Sequence, residues 1–204
     1  MHPVARLLAA AVVLAQAASA QTPEWIWFRK TDDAETRFFR KTVILTEPAS
    51  KAEVVATADD SLEVFVNGER VLSADQWQNG HRVDIPNGLK SGTNAITIRA
   101  NNGDSSPAGV VLKLTLTTPS GPRVIVTDAT WKANEKRIAD WQKPTFDDRA
   151  WAPAQSLGKL GMEPWGNAFA RRSRAPPCPS PPVAAAPPAK PLRPNSCTPC
   201  PASR

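Results

Sequence analysis

Apolar positions along the chain recur at every second residue, in short runs separated by turn residues. Leu62, Val64 and Val66 alternate with more polar neighbours and stop at Asn67-Gly68, a dipeptide that accepts positive φ at both centres of a two-residue hairpin. The run 70–72 then forms its return strand. Similar runs lie at 25–28, 37–45, 52–58, 81–85, 95–100, 109–117 and 123–127, rich in β-branched and aromatic residues. Turn signals such as Pro86-Asn87-Gly88 and Ser91-Gly92-Thr93-Asn94 divide them. No segment sustains a helical period over more than a turn or two. Short strands spaced about 8–12 residues apart predict an all-β fold, a single β-sandwich, with an open α+β sheet as the alternative.

The chain divides into three parts. Residues 1–20 read as a signal peptide: Arg6, an apolar stretch from Leu7 to Ala15, and Ala18-Ser19-Ala20 as a small-x-small cleavage site. That stretch is shorter than the roughly 20 apolar residues needed to span a bilayer, so export is expected, with no membrane span. Residues 21–166 are long enough for one domain with its own core. Residues 167–204 hold 11 Pro, 8 Ala and all three cysteines, with few large apolar side chains, and are expected to be disordered. Cys197-Thr198-Pro199-Cys200 has C-x-x-C spacing, but with Cys178 nearly twenty residues upstream it lacks a fourth zinc ligand. A Pro-rich spacer and a truncated or frame-shifted larger protein both fit that composition.

Charge separates along the same boundaries. Residues 21–166 carry 18 Lys+Arg against 19 Asp+Glu, whereas the tail carries six basic residues and no acid. The formal charge of +6 therefore belongs to the tail, and no nucleic-acid partner is expected for the body. Two histidines, His2 and His81, leave little room for imidazole metal sites or Ser-His-Asp triads. His81 follows Asn79-Gly80 and reads as an exposed loop residue.

Several stretches, in order, resemble the galactose-binding-like jelly-roll module that accompanies α-L-rhamnosidases and β-galactosidase-like glycoside hydrolases. They are Trp25-Ile26-Trp27 with Phe39-Arg40-Lys41, the 58–68 stretch around Asp59-Asp60-Ser61, the 89–96 stretch, Pro107-Ala108-Gly109-Val110, Thr127-Asp128-Ala129-Thr130-Trp131-Lys132, Phe146-Asp147-Asp148-Arg149-Ala150-Trp151 and Pro164-Trp165-Gly166. The resemblance covers most of residues 24–166. It implies an accessory module that holds a sugar in loops at one end or only braces a neighbouring domain of a longer parent protein. The residues have local readings too. Asp59-Asp60-Ser61 and Thr127-Asp128-Ala129 suit side-chain-bonded turns, and Asp147-Asp148 before Trp151 suits one capped helical turn. Trp25 and Trp27, two apart on a strand, are expected to pack together as core anchors.

Catalysis is not expected. Glycoside hydrolysis needs two carboxyl groups facing each other, roughly 5–9.5 Å apart, and neighbours on a strand point to opposite faces, so no Asp doublet makes a pair alone. Binding is the better hypothesis. The polar loop 73–82 offers Trp77 as a flat face, with Asp75, Gln78, Asn79 and His81 as polar partners for a glycan; Trp77 could equally fold over the sandwich edge. Asn101 and Asn102 provide a second polar loop. Asp59 and Asp60 are candidates for a structural calcium ion, since hard cations take clustered oxygens. The alternatives are a bracing sandwich without ligand and part of a glycoside hydrolase.

Overall fold

A computed structural model describes residues 21–86, 88–170 and 172–174. The signal-peptide reading of 1–20 and the tail cysteines lie outside those residues. All nine expected runs are strands: β1 (Glu24–Trp27), β2 (Glu35–Leu45), β3 (Lys51–Asp59), β4 (Ser61–Val66), β5 (Glu69–Ala74), β6 (Gly80–Ile85), β7 (Gly92–Asn102), β8 (Gly109–Thr118) and β9 (Gly121–Val126). Four short strands follow: β10 (Lys132–Asn134), β11 (Ala152–Pro153), β12 (Gln155–Lys159) and β13 (Arg172–Arg174).

They form two sheets. One runs β12-β1-β8-β3-β6-β13, with β9 also on β8; the other runs β11-β10-β2-β7-β4-β5. The pairing is antiparallel except where β13 joins β6 in parallel. Alternate residues of both inner faces, among them Val54, Ala56, Val64, Ile96, Ile98, Leu112 and Leu114, close a core between the sheets. Among the described residues no helix is long and apolar enough to cross a membrane.

Both outer faces are partly covered by chain beyond β9. Between β10 and β11, Trp141, Phe146 and Trp151 pack on Phe38 and Phe65 of the second sheet. Near the end of the described chain, Trp165 and Ala168 pack with Trp25 and Val111 of the first sheet, with Phe169 beside them. The packed body therefore continues past Gly166, where the change in composition places the start of the tail.

Two local expectations need correction, and a third holds. Trp25 and Trp27 do not share a cluster: Trp25 stacks outside with Trp165, while Trp27 packs in the core against Phe39. The strand ends at Trp27 and its pairing with β12 shifts register between Trp25 and Ile26, so simple alternation does not carry across it. Asp147-Asp148 does open one capped turn: Asp147 Oδ1 accepts from the Arg149 backbone N–H at 3.1 Å, Trp151 N donates to the Asp148 carbonyl at 3.0 Å, and Trp151 is buried. His81 is buried within β6, and its Nε2 lies 3.0 Å from the carbonyl oxygen of Gln76.

The β4–β5 hairpin turns as the sequence predicts, with Asn67 at φ 54° and Gly68 at φ 94°. Asn67 also ties the turn to β7: its Oδ1 accepts from Ala95 N at 2.8 Å and its Nδ2 donates to Asn94 Oδ1 at 2.9 Å. Asn67→Val combines a β-branched side chain at positive φ with loss of both bonds, and should cost about 1–3 kcal/mol. Urea denaturation measures it; an unchanged midpoint would contradict the strain argument.

Candidate functional site

β3 and β7 end side by side at one end of the sandwich. Asp59 closes β3, Asp60 leads into β4, and Asn101-Asn102 close β7 before the turn 103–106. Asp60 Oδ2 accepts from the Gly103 backbone N–H at 2.7 Å, and Asp60 N donates to the Asn101 carbonyl at 2.8 Å. Asp59 Oδ2 accepts from the indole N–H of Trp165 at 2.8 Å. Burial pushes the Asp59 carboxyl up; the Trp165 bond opposes this, and the negative charges of Asp60 and Asp104 reinforce it. Asp60 lies beyond the end of β3, in the link to β4.

Asn102 is fully buried. Its Nδ2 donates to the carbonyls of Asp104 (2.6 Å) and Ser106 (3.5 Å), so its amide shapes the turn instead of facing outward. Asn101 is half-buried and accepts from Thr36 Oγ1 at 3.1 Å. From it a groove of about 500 Å³ runs along the outer face of β4, β5 and β7, lined by Ser61, Glu63, Ser73, Asp75, Arg99 and Asn101. Two residues singled out in the sequence, Asp75 and Asn101, meet here, next to Asp60.

Arg99 and Glu63 escaped the sequence reading. They sit on the solvent face of β7 and β4, opposite each other in register, and Arg99 Nη1 donates to Glu63 Oε2 at 2.9 Å. Arg70 donates to the other oxygen of Glu63 at 2.7 Å. Burial alone would raise the Glu63 carboxyl, but these two arginines outweigh it and hold it low, hence ionised at neutral pH. Beyond this pair a second groove of about 550 Å³ opens beneath the 135–151 crossing.

The Trp77 loop lies elsewhere. Trp77 is half-buried against the Trp25–Trp165 cluster, and neither groove is lined by it. Gln78 is exposed, Asn79 donates to Gln76 Oε1 at 3.3 Å, and His81 is held by the Gln76 carbonyl, which also accepts from Thr57. The five polar and aromatic candidates of 73–82 are therefore split, with Asp75 alone on the groove.

No family model matches the chain. Over 174 residues it is 35% identical to an α-L-rhamnosidase of Streptomyces avermitilis; the match covers 79% of this chain and 17% of that enzyme. The crystal structure of that rhamnosidase with L-rhamnose shares the fold at TM-score 0.67 and 34% identity, over 72% of this chain and 16% of the other. The apo form of a Pleurotus ostreatus lectin matches at TM-score 0.67 and 34% identity, over 75% of this chain and 46% of the lectin. A Pleurotus ostreatus lectin structure in complex with GalNAc shares the fold at TM-score 0.67 and 24% identity. The chain spans about a sixth of the curated relative it matches. It is a β-sandwich module of the galactose-binding-like kind, homologous to one segment of an α-L-rhamnosidase.

Proposed function

We propose that the chain is a non-catalytic carbohydrate-binding module, one part of a longer exported protein. The observation that carries this reading is the groove between Asn101 and Asp75. It offers hydroxyl, amide, carboxylate and guanidinium groups on one rigid sheet face, the mixture that sugar hydroxyls require. The sugar-bound lectin of the same fold supports it. A hydrolytic role is less well supported. Glu63, inside the groove, is held ionised by two arginines, and Asp59, the carboxyl pushed up, is buried behind Trp165 and does not line the groove.

Calcium fits the acidic end. Asp60 and Asp104 are near enough for their charges to press on Asp59, and a bound cation would relieve that repulsion. Among the described residues no three carboxylate, imidazole or thiol groups converge to hold a metal by themselves. Asp59 and Asp60 would hold it together with amide or carbonyl oxygens of the 101–106 turn, a donor set of oxygens that suits calcium. The ion would neutralise the doublet and stiffen the turn beside the groove.

Affinity electrophoresis of the full chain in gels containing rhamnose- or galactose-bearing polysaccharides tests the reading. Retardation is expected with calcium and is weaker in EDTA; Asp75→Ala should lose tenfold or more in affinity with little change in melting temperature, since Asp75 is exposed. Trp77→Ala should instead keep its affinity and lose about 1–3 kcal/mol of stability, less than a fully buried ring would. No retardation by any glycan would hand the domain to the alternative, a bracing sandwich without ligand.

A further inference from the structure

The second groove carries an excess of positive charge, where the first has more acid than base. It lies between the outer face of β2, β4 and β7 and the 135–151 crossing, with Phe38, Phe65 and Trp141 on its apolar side and Glu63, Arg99 and Arg137 on its charged side. Glu63 is its one carboxylate, and both oxygens of that carboxylate already take bonds from Arg70 and Arg99. Arg137 is exposed and, among the described residues, forms no ion pair. Two guanidinium groups, Arg99 and Arg137, thus line the groove beside a single carboxylate whose charge is already engaged, on a body whose charges balance at 18 against 19. Such a local excess attracts anions, and guanidinium forks match the planar oxygens of a carboxylate.

The apolar side narrows the class of anion. Phe65 is half-exposed and stands edge-on to Trp141, with ring centroids 6.0 Å apart. Trp141 is 2% exposed, and its indole N–H has no acceptor among the described residues. The partly exposed Phe65 ring beside the unpaired guanidinium of Arg137 suits a ring with C–H faces and a carboxylate on its rim. We propose that this groove binds a uronate, a sugar unit carrying a carboxylate, with its carboxylate on Arg137 and Arg99 and its ring against Phe65. The site is separate from the acidic end and requires no metal.

The test uses the full chain, in EDTA and at 0.15 M salt, roughly where surface attraction beyond about 8 Å is screened. Trigalacturonate is titrated in and followed by tryptophan fluorescence, with a neutral galactose trisaccharide and triglutamate as comparison probes. A saturable response to trigalacturonate is expected, at least tenfold tighter than to either comparison. Arg137→Gln should weaken it tenfold or more without moving the melting temperature, and Arg137→Lys should restore part of it. An equal response to triglutamate would show that the groove senses charge alone, and would overturn the sugar assignment. An unchanged affinity in Arg137→Gln would overturn the site. Asp60→Ala separates this proposal from the calcium-linked one: it should remove calcium-dependent glycan retention and leave the trigalacturonate response intact.

Discussion

Arg40→Ala is expected to destabilise the domain by about 3–5 kcal/mol, the range for breaking a buried, hydrogen-bonded charge. Arg40 is fully buried although it carries a charge. Its guanidinium donates to Asp148 Oδ2 at 2.9 Å, to the Trp141 carbonyl at 2.8 Å and to the Phe146 carbonyl at 3.4 Å, and stands 5.4 Å from the Phe146 ring centroid. One side chain of β2 thereby fastens the irregular 141–148 stretch, which has little regular pairing of its own, to the outer face of the sheet. Truncation leaves a cavity and deprives buried carbonyls of their donor. Arg40→Met fills most of the volume and should lose less than the alanine variant, because an apolar replacement spares the cost of desolvating a charge. Urea denaturation gives the energies, and near-ultraviolet circular dichroism reports the Trp141–Trp151 stack, whose ring centroids lie 6.1 Å apart. A loss under about 1 kcal/mol for Arg40→Ala would mean that the crossing is held by its aromatic rings alone.

The contrast between β2 and this crossing explains what can be read from the chain. Period-two alternation marks β4 and the latter half of β8, and Asn67-Gly68 marks the hairpin, because backbone and neighbouring side chains decide those features locally. The covers over the outer faces have no period. Trp141, Phe146 and Trp151 fall in irregular chain, and the partner that holds it, Arg40, lies more than 100 residues away. Nothing adjacent to Arg40 marks it as buried, since Arg37 and Lys41 beside it read the same way. The groove was half legible. Asp75 and Asn101 stand out as polar residues near turns, whereas Glu63 and Arg99 gain meaning only once β4 and β7 are placed in register. His81 misled because Asn79-Gly80 looks like a loop tip, while the chain enters β6 at Gly80. The burial of Trp77 depends on Trp25 and Trp165, remote in sequence and joined only by the fold.

Trp165→Ala should cost a similar 3–5 kcal/mol, and its pH dependence should identify a second role for the ring. Trp165 is stacked on Trp25 with centroids 4.5 Å apart and planes inclined by 24°. The packing is tight enough that a Cβ at Gly109 would lie 2.9 Å from the Trp165 ring, so glycine there is a condition of the stack. Removing a buried ring of this size accounts for the loss. The indole N–H also donates to Asp59, whose carboxyl burial pushes above its ordinary value of about 4. A raised carboxyl holds its proton more tightly in the folded state than in the unfolded one. The stability it contributes is therefore present at low pH and falls as pH rises from about 4 through the Asp59 titration. The indole bond favours the ionised form and limits that fall. Trp165→Phe keeps an aromatic ring on Trp25 and removes only the donor, so its loss should be larger at pH 7.5 than at pH 4.5. Calcium should narrow the difference if Asp59 and Asp60 hold it, because the cation then supplies the compensation that the indole no longer gives. Equal losses at both pH values would show that Trp165 serves the stack alone and leaves the carboxylate to its neighbours.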